Sequence, residues 1–323
     1  MSEGLRTLGI DVGGTAIKLA VVWSDGRLAR AAEIPTEVES GPEAALVRIL
    51  ECSRTLLHAE AMPSQSMRAI GLASAGIIDT TRNLVLDAPN LRSWERFPLA
   101  DRLGEAFGVP ASIENDVNAM AYGEWRCGAG RGTRSLLCLT LGTGVGGGIV
   151  LDGRVYRGAH GGAGEVGHIT VERDGPACAC GSTGCLERYV GARWIVERAV
   201  QRLESDARPS ALRGLDAAQL TPLRVSEAAA DGDPIACAVL EETGVWLGVG
   251  LASLANVLDP ERIVIGGGVA RAGEALFEPA RRTLRARAMS VQAAALDVVP
   301  AALGNDAAVV GAALLALERV QGR

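Results

Sequence analysis

No run of Lys or Arg occurs in this sequence, and its formal net charge is −6 over 323 residues. A basic stripe of the kind that tracks nucleic acid or anionic lipid is therefore missing, and neither is expected as a partner. Also missing at the amino terminus is the succession of basic, apolar and small-residue zones that marks a secretory signal. MSEGLRTLGIDV passes from a short polar stretch straight into a strand, so a cytoplasmic location is expected. No uninterrupted apolar run reaches the roughly 20 residues that cross a bilayer. The longest, around 245 to 258, is broken by Gly248, Gly250 and Asn256 and reads as a buried core helix. No long linker separates independent domains, and the 41 glycines follow no collagen-like period. Seven cysteines are an odd number for a disulfide framework. Cys52, Cys127, Cys138 and Cys237 are scattered and read as small hydrophobes. Cys178, Cys180 and Cys185 are clustered, which in a reducing compartment favours a metal over a disulfide.

What is present is a soluble enzyme's composition, 48% hydrophobic and 22% charged, in a chain long enough to form two lobes. Three glycine-rich turns punctuate it: DVGGT at 11 to 15, LGTGVGGG at 141 to 148 and IGGGV at 265 to 269, each after a β-rich apolar stretch. A turn without Cβ atoms brings several backbone N–H groups within reach of one oxyanion, which suits nucleotide phosphate. A single such loop also serves ordinary tight turns. Strands are expected at 7 to 12, 16 to 22 and 28 to 34, with Asp25-Gly26 as a hairpin turn. A helix follows from Glu43, with Pro42 at its start. After a strand at 69 to 74, residues 75 to 110 read as loop-rich. A strand at 109 to 113 then delivers Glu114, Asn115 and Asp116 to a helix running from Val117 to Trp125. Strands at 135 to 141 and 147 to 151, with Asp152-Gly153 as another hairpin turn, repeat the earlier order of strand, glycine turn, strand and DGR turn. That weak duplication suggests that each half holds phosphate with the same device. Helices at about 186 to 204, 234 to 258 and 272 to 287, strands at 262 to 266 and 296 to 300, and a helix from about 306 to 317 complete the chain.

Phosphoryl transfer needs the polyphosphate held, its charge neutralised and the acceptor hydroxyl oriented. Gly13, Gly14 and Thr15 on the first loop, with Thr143 and Gly144 on the second, supply N–H and hydroxyl donors for phosphate. Asp11, just ahead of the first loop, is placed to hold Mg²⁺ through water. Lys18 reads as a solvated lysine. Asp116 is the candidate general base, a carboxylate at a strand end beside Asn115. The competing reading of Asp116 is a helix N-cap. GGAGEVGH at 161 to 168 and CACGSTGCLE at 178 to 187 supply His168, Cys178, Cys180 and Cys185, one imidazole and three thiols, the donors of a closed tetrahedral structural zinc site. Gly181 and Gly184 would relieve the sharp turns, and the metal would fix Glu165 and Glu187 on either side of it. The alternative is a set of buried thiols beside a hydrogen-bonded histidine.

DVGGT, APNL at 88 to 91, END at 114 to 116, GEW at 123 to 125, LGTGVGGG, GGAGEVGH, CACGSTGCLE and IGGGV, in this order, resemble the ROK family of bacterial sugar kinases and sugar-responsive repressors. The resemblance covers nearly the whole chain, and within the family it is greatest to the bacterial glucokinases. It implies an α/β, two-lobed actin-like and hexokinase-like ATPase fold of duplicated ribonuclease H-like lobes with a structural zinc loop. The small lobe is expected from 1–117 plus 305–323 and the large lobe from 118–304. It further implies ATP with Mg²⁺, phosphates on the first two glycine loops and adenosine near Gly267 and Gly268. Asp116 would deprotonate the 6-hydroxyl of a hexose, with glucose the leading candidate. Asn90, Asn115, Glu165, His168 and Glu187 would hold the other hydroxyls, His168 using its second nitrogen for zinc. A homo-oligomer, dimer or tetramer, is expected on the same ground. Only six residues precede the first strand, so the helix-turn-helix of the family's repressors is not expected here. SAGIID at 74 to 79 departs from the glucokinase pattern and keeps an N-acetylmannosamine or N-acetylglucosamine kinase open. Polyphosphate as donor, a non-catalytic sugar sensor and an actin-like ATPase without a sugar are the remaining alternatives.

Overall fold

The computed structural model describes residues 5–60, 67–88, 91–216 and 218–322. It divides into two compact units. One comprises Met1–Gly132, Gly148–Ala163 and Ala302–Arg323, the other Thr133–Gly147 and Gly164–Ala301. The helix that begins at Asp116 and the hairpin after Gly148 therefore group with the first unit.

The first unit opens with β1 (Arg6–Val12), β2 (Ala16–Trp23) and β3 (Leu28–Pro35), then α1 (Gly41–Ala59), β4 (Met67–Ser74), β5 (Ile77–Asp79), β6 (Leu84–Asp87), α2 (Leu99–Phe107), β7 (Ala111–Asn115) and α3 (Asp116–Cys127). Its sheet has the order β3-β2-β1-β4-β7. The first three strands are antiparallel, and β4 and β7 run parallel to β1. Strand β1 is central and its apolar side chains are buried throughout, as a strand covered on both faces requires. Helix α1 lays Ala45, Leu46, Ile49, Leu56 and Leu57 against this core. Ser53 falls on the same buried stripe and satisfies its hydroxyl by donating to the Ile49 carbonyl at 2.7 Å.

A second sheet is built on β8 (Leu136–Leu141), β9 (Val145–Leu151) and β10 (Arg154–Val155), of which β10 and β9 from Gly148 onward group with the first unit. After α4 (Glu187–Val190), α5 (Ala192–Ser205), α6 (Pro222–Ala230) and α7 (Pro234–Leu258) come β11 (Arg262–Gly266), α8 (Glu274–Arg287), α9 (Ser290–Ala295), β12 (Asp297–Pro300) and α10 (Ala307–Val320). The sheet order is β10-β9-β8-β11-β12, with β11 parallel to both β8 and β12. The order matches the first sheet strand for strand, so the duplication read from the glycine turns extends to topology. The junction between the units at Gly147 and Gly148 falls inside β9. Asp152 and Gly153 both have positive φ, 48° and 78°, as a tight hairpin turn after β9 demands. Helix α7 is long and apolar enough to cross a membrane by length and composition, yet 61% of its most apolar stretch is buried inside the protein. It is a core helix.

Helix α10 returns to the first unit and rests on β1 and β4. A Cβ at Gly9 would lie 2.2 Å from the Val309 carbonyl oxygen, and one at Gly71 would lie 1.9 Å from that of Ala312. Only glycine allows that approach. The segment 75 to 110 is more ordered than expected: it holds the β5–β6 hairpin and α2. Strand β5 is too short to show alternation, and α2 buries only Leu99, Ala100 and Leu103 before Gly108 ends it at φ 68°. The helix expected at 186 to 204 breaks at Gly191, whose ψ of 152° is extended, and so forms α4 and α5. Helix α6 was not anticipated.

Candidate active site

Open sheets present ligands at the carboxyl ends of their parallel strands. In the first unit Val12 pairs with Ser74, and Ser74 with Asn115, so Asp11, Ser74 and Asn115 stand together at that edge. Asn115 is the N-cap of α3: its Oδ1 accepts the amides of Val117 and Asn118 at 3.0 Å each. Its Nδ2 donates to the Gly76 carbonyl at 3.0 Å, tying the helix start to the turn before β5. The capping role that competed for Asp116 thus falls to Asn115. Asp116 is the first helical residue, with Oδ1 accepting the Val117 amide at 2.9 Å.

Burial and the neighbouring Asp116 carboxylate push the Asp11 carboxyl up to about 7, against a smaller opposing pull from Lys18. Two carboxylates close enough to repel each other at a strand edge are suited to a cation. Lys18, the sole lysine of the sequence, is not the solvated side chain expected. Its Nζ donates to Asp306 Oδ1 and to the Asn305 carbonyl, both at 3.0 Å. The first glycine loop is fixed at its base, where Gly13 N–H donates to the Ala16 carbonyl at 3.0 Å. Thr36, fully buried, donates its hydroxyl to the Gly13 carbonyl at 2.7 Å and its amide to the Thr15 carbonyl at 3.0 Å. Gly14 and Thr15 remain exposed. Sequence reasoning missed Thr36 and Asp306, since neither lies in a motif and each meets its partner only through the fold. Asn90 lies outside the described residues.

In the second unit the turn between β8 and β9 carries Thr143, exposed, and Gly144. Glu187, at the start of α4, accepts the Val145 amide on Oε2 at 2.9 Å. A Cβ on Gly144 would come within 2.6 Å of that same oxygen, so the loop and Glu187 are fitted to each other. The Ala192 amide at the start of α5 donates to the Gly142 carbonyl at 2.8 Å. Gly267, at φ 88°, follows β11 beside the end of β8, and a Cβ there would lie 2.3 Å from the Leu141 carbonyl oxygen. Gly267 and Gly268 are exposed. Glu165, exposed, opens the single helical turn that carries His168.

His168, Cys178, Cys180 and Cys185 converge, with their donor atoms all within 4.8 Å of one another. His168 Nδ1 is 3.7 Å from Cys178 Sγ, and Cys180 Sγ is 3.6 Å from Cys185 Sγ. A tetrahedral zinc with Zn–S bonds of about 2.3 Å sets its sulfurs roughly 3.7 Å apart, so the donor set fits. Nδ1 faces the thiols, which leaves Nε2 for another partner. The loop turns at Gly181 and Gly184, with φ 91° and 63°, and the Cys178 amide donates to the Ser182 carbonyl at 2.8 Å. Burial, with the neighbouring thiols, pushes Cys185 up to about 12, whereas hydrogen bonding to the Ser182 backbone lowers Cys180. Zinc, when bound, would displace the proton that burial holds on Cys185.

The family model for the ROK family matches residues 7–319. A glucokinase of Halalkalibacterium halodurans is 39% identical over 306 residues, covering 94% of this chain and 92% of its own. An N-acetylmannosamine kinase of Escherichia coli O157:H7 is 32% identical, covering 97% and 98%. Among solved structures, a ROK family glucokinase from Streptomyces griseus in complex with glucose and AMPPNP superposes with a TM-score of 0.82 at 38% identity, covering 97% of this chain and 99% of that one. Motifs, duplicated sheets and sequence likeness over nearly the full length agree: the chain belongs to the ROK family, as a sugar kinase of the kind represented by its bacterial glucokinases.

Proposed function

We propose that this protein transfers the γ-phosphoryl group of ATP to the 6-hydroxyl of glucose in the cytoplasm, with Asp116 as general base. The observation that carries the reading is the division of labour at the start of α3. Asn115 takes the cap, so Asp116 is not explained as the helix cap and stands beside Asp11 at the ligand edge of the sheet. In the proposed step the hydroxyl proton passes to an Asp116 carboxylate oxygen as O6 bonds to the γ-phosphorus, and the bond from that phosphorus to the bridging oxygen breaks to release ADP. Gly14 and Thr15 hold phosphate on one loop, with Gly13 shaping the turn through its bonds to Ala16 and Thr36, and Thr143 and Gly144 hold it on the other. Gly267 and Gly268 leave open backbone for adenosine. Asp11 holds Mg²⁺ through water, and that ion neutralises phosphate charge when bound.

Asn90, Asn115, Glu165, His168 and Glu187 hold the remaining sugar hydroxyls. Asn115 has both capping acceptor bonds and one amide proton already engaged, so its share is an Nδ2 donor. His168 serves through Nε2 while Nδ1 joins Cys178, Cys180 and Cys185 on a structural zinc, whose part is to fix the loop that sets Glu165 and Glu187. The assembly is a homo-oligomer. A second reading, an N-acetylhexosamine kinase, is favoured by the Ser-Ala-Gly-Ile-Ile segment from 74 and by the N-acetylmannosamine kinase relative. The deciding experiment is a coupled ADP-release assay over hexoses and N-acetylhexosamines, with polyphosphate tested separately as donor by product formation. Glucose with ATP must give the highest kcat/KM. Preference for an N-acetylated sugar would transfer the assignment to the second reading.

A further inference from the structure

Glu124, about two turns along α3 from Asp116, has no exposed surface and no role in the chemistry above. A carboxylate taken wholly out of water needs charge-assisted hydrogen bonds in place of its hydration. Glu124 finds them in two distant stretches of chain. Its Oε2 accepts the Ala129 amide at 2.8 Å and the Ala302 amide at 3.1 Å, and its Oε1 accepts the Leu303 amide at 2.7 Å. The backbone carbonyl of the same residue accepts the Gly128 and Gly130 amides at 3.0 and 2.9 Å. The loop is wrapped closely enough that a Cβ on Gly128 would fall 2.0 Å from Glu124 Oε2.

The two stretches border two of the four points where the chain passes between the units: its first exit from the first unit, after Gly132, and its last return, at Ala302. Helix α3 is itself held firmly within that unit. Gly311 of α10 approaches so near that a Cβ would lie 1.7 Å from the Ala119 carbonyl oxygen, and one on Gly123 would lie 2.4 Å from that of Ala307. A single rigid helix thus carries Asp116 at its first residue and, roughly 12 Å along its axis, the carboxylate that grips the segments at the first exit and the last return.

We propose that Glu124 is a positioning residue of the reaction, a clamp that fixes the outgoing and returning segments to the helix bearing Asp116. The inference rests on the reading of Asp116 as the base. Hydrogen bonds of this kind remove torsional freedom where the connecting backbone would otherwise have several conformations, and catalysis is sensitive to displacements of about 1 Å far from the reacting atoms.

The test uses the full chain and two variants. Glu124→Gln preserves shape but replaces one accepting oxygen with a donor. Gly128→Ala keeps the carboxylate and pushes it off its partners from the loop side. Hydrogen exchange at the amides of Ala129, Ala302 and Leu303 should accelerate by roughly tenfold or more in both variants. With ATP and glucose, kcat should fall roughly 10- to 100-fold while KM for glucose stays within about twofold. Unchanged exchange overturns the clamp. Faster exchange with wild-type kcat overturns the positioning role and leaves a purely structural glutamate. Wild-type protein that releases no ADP with any hexose refutes the kinase reading instead, and exchange alone then decides the clamp.

Discussion

Replacing Asp11 with asparagine should make the protein more stable and less active. In the folded chain the Asp11 carboxyl is held up at about 7 against an ordinary 3.8, by burial first and by Asp116 second. A raised carboxyl means that the folded state keeps a proton that the unfolded chain has already lost. Stability is therefore greatest below the unfolded value, falls as pH rises between the two values, and levels off above the folded one. The whole penalty is about 4 kcal/mol, at 1.36 kcal/mol for each pH step. Asparagine carries no proton to lose, so Asp11→Asn escapes it. Urea denaturation near pH 5 and near pH 8 should show the variant's advantage growing by about 3 kcal/mol between the two conditions. Phosphorylation should drop sharply in the same variant, the trade expected where a site stores repulsion for a cation. An advantage of the same size at both pH values, or a variant less stable than wild type near pH 8, would refute the argument.

Three other outcomes are expected. Chelation of zinc, or Cys180→Ser, should leave the first unit folded and weaken glucose affinity roughly 10- to 100-fold, measured by titration calorimetry beside elemental analysis; metal-free protein with full affinity contradicts it. Thr36→Val removes the hydroxyl donor to Gly13 while conserving volume, and should raise KM for ATP several-fold with little change for glucose, for an estimated loss of about 1 kcal/mol. Asn115→Ala removes the cap oxygen that accepts two backbone amides and should lower stability by about 1 to 2 kcal/mol in thermal or urea melts, together with kcat.

Much of this was legible because its signals are local. The positive φ of Gly26, Asp152 and Gly153 is what Asp-Gly turns announce, and the strand spacing around them gave β1 to β3 within a residue or so. The cysteine cluster was readable since three of its four donors lie in one short loop. What stayed hidden depends on tertiary proximity. Lys18 looked solvated because its partners, Asn305 and Asp306, are nearly the whole chain away. Thr36 follows the last residue of β3 with no motif to mark it, and Glu124 sits in a motif whose spacing says nothing of Ala302. At the Asn115–Asp116 junction two good capping residues stand side by side, and only the backbone geometry decides which one serves.

The most direct test of the central claim is turnover by Asp116→Asn, measured as glucose-dependent ADP release beside calorimetric binding of glucose and ATP. The expected result is a kcat lower by roughly 10² to 10⁴ with both affinities near wild type. Turnover within a few-fold of wild type would show that another group takes the proton.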